Sequence, residues 1–317
     1  MLSRVANSLY WINRYMERAE NYARFIDVNF NLILDLPPDV PEQWEPLVIT
    51  MADDKLFRKY FKKPTRENVL FFMTFDTRNP NSILTSLFQA RENARTIRET
   101  ISKEMWEHIN RFYLRVKEAP HQSMDLLGFQ QFYNEVKMGS QLFFGIVDST
   151  ITRGDGWHFG RVGRFLERAD KISRFVDVKY FILLPNPKLV GSSLDILQWS
   201  SVLKSASAYN MYRQQYRQIT PVSIVEFLVL DKLFPRSVLH SLLFAETSLR
   251  EISGTLPSIR YSNTAERKLS RLRSEIEFMD VAEIFTTGLH EFIDGFQTRN
   301  NEVGKEIFDT FFAIKPI

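Results

Sequence analysis

Two Glu-Arg pairs stand out as the groups able to do chemistry: Glu17-Arg18 and Glu167-Arg168, each embedded in a nearly repeated stretch, RYMERAENYARFIDV at 14–28 and RFLERADKISRFVDV at 164–178. In a helix, Arg14, Glu17, Arg18 and Asn21 fall at i, i+3, i+4 and i+7 and share one face, as do Arg164, Glu167, Arg168 and Lys171. Trp11 and Phe25 flank Arg18 on the same wheel, placed to stack on its guanidinium. Three chemistries are open to such a set. Buried, the pairs would lock two segments together by ion pairing. Lining a cleft, four arginines and two glutamates would grip a phosphate or carboxylate through bidentate contacts. General acid/base work by Glu17 or Glu167 would need a raised pKa, which neighbouring arginines oppose. A separate spacing, Glu20 with Arg24 and Asp170 with Arg174 at i, i+4, reads as ordinary surface support for the helix.

Two further groups are candidates for ligand contact. In the cluster Ala90-Arg91-Glu92-Asn93-Ala94-Arg95, Arg91 and Arg95 line one helix face that Arg98 continues, with Glu92 among them, whereas the aligned positions later in the chain include Glu246 and Thr247. That difference sets a ligand role beside the plainer one of a solvated face. Gly154-Asp155-Gly156-Trp157-His158 precedes the second repeated helix, where Asp155 can cap and His158 can titrate or hydrogen bond.

Much chemistry is excluded. With no cysteine there are no disulfides, thiolate nucleophiles or cysteine metal sites. The paired Glu-x-x-His motifs of di-iron bundles, the His-Glu-x-x-His helix and a phosphate-binding glycine loop are all missing. No metal and no cofactor is expected. A net charge of +3 does not announce a nucleic-acid binder, although 55–66 (KLFRKYFKKPTR) is locally basic. No apolar run reaches the 18 or so residues of a membrane helix, and charges interrupt the N-terminal stretch where a signal peptide would be apolar. A cytoplasmic protein without nucleic-acid or membrane partners is expected.

The elements that position these residues are helical. Val5, Leu9, Ile12, Met16, Ala19, Ala23 and Ile26 alternate steps of four and three, the stripe of a helix from near Leu2 to about Asp35, stopped by Pro37, Pro38 and Pro41. Its twin starts near Trp157 and ends before Pro185 and Pro187. The correspondence continues at a spacing of 155, where Thr65, Asp76, Pro80, Ser82 and Ser86 meet Thr220, Asp231, Pro235, Ser237 and Ser241. Pro80 and Pro235 are placed for a first helical turn. Further helices are expected over 82–111, 126–151, 236–252 and 265–312, and the apolar runs 69–75 and 224–230 read as buried helix. The whole predicts an all-α fold, a large helical bundle of about a dozen helices. Two internally duplicated halves, 1–152 and 153–317, would be related by a pseudo-twofold axis within one compact body.

MLSRVANSLYWINRYMERAENYAR at 1–24, ARENARTIRETIS at 90–102 and WHFGRVGRFLERAD at 157–170 together resemble the alpha-E domain family, an all-helical bacterial family of unknown function with a Glu-Arg motif. The resemblance spans essentially the whole chain. It implies the company of ATP-grasp amide ligases and transglutaminase-like peptidases, hence peptide synthesis or modification with a peptide or amino-acid ligand. Two functions follow: a noncatalytic helical partner or substrate-binding component of such a ligase, or an enzyme of the same pathway. The enzyme would use Glu17 or Glu167 with His158 as acid/base groups, and arginines stabilising an anionic substrate.

Overall fold

The computed structural model describes residues 1–34, 42–119, 124–181 and 190–313, and every regular element among them is helical. The helices run α1 (Ser3–Leu34), α2 (Glu45–Thr50), α3 (Asp54–Tyr60), α4 (Arg66–Thr74), α5 (Ile83–Thr96), α6 (Lys103–Lys117), α7 (Leu126–Thr150), α8 (Asp155–Phe181), α9 (Ser193–Ser205), α10 (Tyr209–Gln215), α11 (Pro221–Val225), α12 (Val238–Ser253), α13 (Thr264–Glu277), α14 (Val281–Thr287) and α15 (Leu289–Ile307). π-helical turns extend α11 over Glu226–Leu230 and α15 over Phe308–Phe312. The prolines expected to stop the two repeated helices lie outside the described residues. None of the described helices is long and apolar enough to cross a membrane.

The two repeated helices, α1 and α8, form the axis of the molecule and pack against each other. α5 and α7 lie on α1, α12 and α15 lie on α8, and α9 touches both. The whole predicted stripe of α1 is buried, as are Val162, Leu166, Ala169 and Val176 of α8. Phe25 does not reach Arg18: its ring stacks on that of Phe175, the residue 150 positions later, with centroids 5.1 Å apart. The apolar runs 69–75 and 224–230 lie in largely buried helix, as their helical company predicts, with Phe71 exposed.

Local signals repeat at the spacing of 155. Thr65 and Thr220 cap α4 and α11, and Ser82 and Ser237 cap α5 and α12, each by a side-chain oxygen accepting an amide of the first turn. Ala52 and Ser207, which follow α2 and α9, adopt φ of 59° and 52°, an uncommon conformation for residues with a side chain. Both close their helix through the same pair of bonds, Ala52 N–H to Ile49 and Asp53 N–H to Val48, Ser207 N–H to Lys204 and Ala208 N–H to Leu203.

Three expectations are corrected. Residues 82–111 are not one helix. α5 ends at Thr96, Ile97 leaves the helical region, Arg98–Thr100 makes a 3₁₀ turn, and the Ser102 hydroxyl caps α6. Two adjacent β-branched residues before a strong cap account for the break. The stretch 265–312 is likewise divided, by the Asp280 cap and by Gly288 at φ 98°, which a side chain would strain. Pro80 and Pro235 sit outside the first turn, in the bends before Ser82 and Ser237, where Asp76 and Asp231 carboxylates accept backbone amides.

α1 and α8 approach closely because α8 is bare at Gly160 and Gly163. A Cβ built on Gly163 would lie 2.3 Å from the Tyr10 carbonyl oxygen, and one on Gly160 would lie 2.5 Å from the Asn13 amide nitrogen. Gly163→Ala is therefore expected to destabilise the protein by about 1–3 kcal/mol through forced separation of the helices. Gly145→Ala, where a Cβ meets nothing within 4 Å, serves as the control and should match or exceed wild type in urea unfolding.

Candidate functional site

The two Glu-Arg pairs of the similar stretches meet at the α1–α8 interface and exchange partners. Glu17 of α1 accepts from Arg168 of α8, Nε to Oε1 at 2.8 Å and Nη2 to Oε2 at 2.8 Å. Glu167 of α8 accepts in return from Arg18 of α1, Nε to Oε1 at 2.6 Å and Nη2 to Oε2 at 3.1 Å. Arg14 adds Nε at 2.9 Å to Glu167, while Arg164 lies 3.6 Å from Glu17. Both carboxylates are fully buried at 0% exposure. A bidentate fork needs its planar acid held in one orientation, so the crossing of the two helices and this pairing specify each other.

Each glutamate receives three cations and sits beside one asparagine, but the third cation comes from a different place. At Glu17 the set is Arg168, Arg164 and Arg236, and Asn21 donates to Oε1 at 3.0 Å. At Glu167 it is Arg18, Arg14 and Lys171, with Asn81 accepting from Arg18 at 2.9 Å. Asn21 and Lys171 occupy matching places on the two helices, and Asn81 and Arg236 occupy matching places 155 residues apart in the loops. Charge has moved from loop to helix while the sum around each carboxylate stays the same. Arg236 also reaches Glu20 and Asn21, much as Lys171 reaches Asp170.

Glu20–Arg24 and Asp170–Arg174 are not surface pairs. Glu20, Arg24 and Asp170 are buried, Arg24 donates onward to the Ser207 hydroxyl, and Arg174 donates to the Thr50 carbonyl at 3.1 Å. Each therefore ties its helix to the turn after a helix in the other part of the chain. Asp53, Asn81 and Arg236 are members that sequence reading missed. Asn81 links Arg18 to Asp53, which also accepts from the Tyr22 hydroxyl at 2.7 Å. The available signal was the paired mismatch Asn21/Lys171 with Asn81/Arg236, two differences that cancel.

Electrostatics fix the protonation states. Burial alone would raise the Glu17 carboxyl, yet Arg168, Arg236 and Arg164 overcome it and hold the group well below the usual range. Glu167 is lowered in the same way, by Arg18, Arg14 and Lys171 against its own burial. Glu20 and Asp170 are also held down against burial, by Arg236 with Arg24 and by Arg174 with Lys171. Neither Glu17 nor Glu167 has a proton to give near neutral pH. Burial works the other way on the least compensated cations, taking Arg164 and Arg236 down to about 10.

The remaining candidates lie apart. Arg91 donates to Asn110 and pairs with Glu92, Arg95 pairs with Glu92, and Arg98 stacks on Trp106, so this face braces α5 and α6. Among the described residues none of its ion pairs or hydrogen bonds reaches the central exchange. Its aligned Glu246 holds α12 to α13 through Arg273 at 2.6 Å. Asp155 opens the first turn of α8, Trp157 donates to Asp148 at 3.3 Å, and the His158 Nδ1 is buried without a partner. The guanidiniums of Arg14 and Arg18 rest on Trp11 and Tyr15, where sequence reading expected Trp11 and Phe25 to hold Arg18. No grouping of three or more histidine and acidic side chains suited to a metal occurs among the described residues.

Arg168→Ala, which takes the bidentate partner from buried Glu17, is expected to cost about 3–5 kcal/mol by urea unfolding. Arg236→Asn should also destabilise, and adding Asn21→Lys should restore more than half of the loss, because it rebuilds the arrangement found at Glu167; strict additivity of the two changes would refute the exchange of roles. Because four buried carboxylates titrate lower in the folded than in the unfolded chain, their contribution is present above about pH 4.3 and is lost as pH falls below it. Urea midpoints should drop steeply from pH 5 toward pH 3.

No solved structure matches the chain. Uncharacterised proteins of Mycobacterium bovis and Mycobacterium tuberculosis are each 21% identical to it over 290 residues, covering 85% of this chain and 32% of the relative. The chain thus spans about a third of the length of the curated relatives it matches. A family model described as a predicted alpha-helical domain with a conserved ER motif matches residues 1–312. The chain, which carries the buried exchange of Glu17-Arg18 with Glu167-Arg168, belongs to the Alpha-E family.

Proposed function

We propose that this Alpha-E chain is a noncatalytic helical component of a peptide synthesis or modification system, serving an ATP-grasp amide ligase or a transglutaminase-like peptidase by docking it or holding its peptide or amino-acid substrate. The observation that carries the reading is the saturation of the two motif glutamates: each is fully buried, ionised and ringed by three cations. Groups so engaged hold helices in register and are poor proton-transfer agents, which takes support from Glu17 or Glu167 as acid/base catalysts. The identity of the partner rests on the family resemblance. That the relatives are about three times as long fits a unit that works beside further polypeptide. A cytoplasmic setting goes with an ATP-dependent partner.

We also infer that the chain is an internal duplication, with halves 1–152 and 153–317 about a pseudo-twofold axis. Reciprocal Glu-Arg pairing, the matched Thr65/Thr220 and Ser82/Ser237 caps and the matched left-handed residues Ala52 and Ser207 support it.

The functional reading is tested by mixing the purified chain with an ATP-grasp amide ligase and following sedimentation velocity and ligase turnover. A faster-sedimenting complex with altered kcat/KM is expected. Independent sedimentation with unchanged turnover would remove the ligase from the proposal.

A further inference from the structure

On the flank of the central exchange, α8 carries two cations that, among the described residues, no carboxylate engages by a hydrogen bond. The guanidinium carbons of Arg161, Arg164 and Arg168 lie 5.2, 5.7 and 5.5 Å from the centroid of a single ring, Phe165. Arg168 is engaged with Glu17, but the other two are not so placed. The Nε of Arg164 is buried with no hydrogen-bond acceptor, and its ion pair with Glu17 is long at 3.6 Å. The Nε of Arg161 is also buried without an acceptor, and among the described residues no carboxylate comes within ion-pair distance of it.

Comparison within the chain shows that this is not the general condition of such an arginine. Arg14 occupies the matching place on α1 and is saturated: Nε and Nη2 bind Glu167 at 2.9 and 2.8 Å, and Nη1 donates to the Tyr10 hydroxyl at 3.1 Å. Gly160 stands where Tyr10 stands, so Arg164 has no hydroxyl to meet, and the Phe144 ring of α7 lies 3.6 Å from its guanidinium carbon. Arg161 rests at 4.4 Å on Trp157 and 5.2 Å on Phe244 of α12. Stacking orients a guanidinium by its face and leaves the donors on its edge free for an acceptor. The side chain of Arg164 is 23% exposed, so the site opens to solvent.

The local field is positive. Burial, with the like charge of Arg168, draws Arg164 down to about 10, and burial lowers Arg161 as well. The acidic groups whose charge reaches the cluster are Glu17 and Glu20 toward Arg164, Asp148 toward Arg161, and Glu251 and Asp155 toward His158. Among the described residues only Glu17 comes within ion-pair distance of either arginine, at 3.6 Å from Arg164. Two buried donors without acceptors are a standing cost that an incoming anion would remove.

We propose that Arg161 and Arg164 form the seat of a small oxyanion, a carboxylate or a phosphoryl group, gripped by their guanidinium edges on the face where α7, α8 and α12 meet. The seat shares Arg164 with the outer ring of Glu17 and leaves the bidentate Arg168–Glu17 and Arg18–Glu167 pairs intact. It stands independently of the ligase reading, since a ligand can bind here whatever partner the chain has.

Titration calorimetry of the purified chain at low ionic strength, with inorganic phosphate and separately with acetate, tests this. Saturable binding of at least one of them is expected, weakened about tenfold or more in Arg161→Gln and unchanged in Arg115→Gln, an exposed arginine paired with Glu135. Arg161 holds no carboxylate, so the Arg161→Gln protein should keep the wild-type urea midpoint. Saturation by phosphate alone assigns a phosphoryl ligand, and saturation by acetate alone a carboxylate. Should the glutamine variant melt early, Arg161→Lys keeps the charge without the fork and is expected to lose about threefold or more. The proposal is overturned if neither ion saturates, or if a folded Arg161 variant binds as tightly as wild type.

Discussion

The structure depends on two carboxylates that each helix lends to the other's arginines. Glu17 and Glu167 sit where α1 and α8 cross, removed from water, and the arginine one step along from each reaches across to the opposite acid. Taking such groups out of water is costly, and their mutual attraction offsets that cost only when every lone pair finds a donor in good geometry. The consequence is an all-or-nothing contact. A shift of one helix past the other by a single turn would leave four buried charges without partners, so the ion pairs select one register from the many that an apolar stripe alone would tolerate.

The rest of the core can be read outward from that contact. Glycines at 160 and 163 let the backbones come close enough for the arginines to reach. Arg24 and Arg174 extend the network to the turns at Ser207 and Thr50, which fixes α2 and α9 against the central pair. The left-handed residues Ala52 and Ser207 close those turns in the same way, so a strained backbone position recurs where the network needs an anchor. The balance of charge is kept even where the residues differ: a lysine on one helix does for Glu167 what a loop arginine does for Glu17.

The flank of the network is less well balanced than its centre. Arg14 and Arg164 occupy matching positions, yet one is fully bonded and the other is not, because a tyrosine hydroxyl on α1 has no counterpart at Gly160. Where two otherwise similar environments diverge, the divergence marks a place released from the demands of packing. That is where a ligand-facing role is best sought, on the aromatic-lined face between α7, α8 and α12.

Sequence by itself determined the helical class, the two central helices with their buried stripes and the Glu-Arg faces, because helical periodicity and the spacing of the repeat are local properties that survive without knowledge of packing. The matched positions Thr65/Thr220 and Ser82/Ser237 were visible as a repeat, but that they cap helices came from the structure. Only the tertiary structure decided that the two faces meet each other instead of a solvent-filled cleft, that Glu20 and Asp170 are interior, and that 82–111 and 265–312 break where they do. Arg236, Asn81 and Asp53 belong to the same class of fact. Pairing between residues 150 or more positions apart, and the burial that turns an ordinary i, i+4 pair into a structural tie, depend on how helices cross, and no local pattern encodes the crossing.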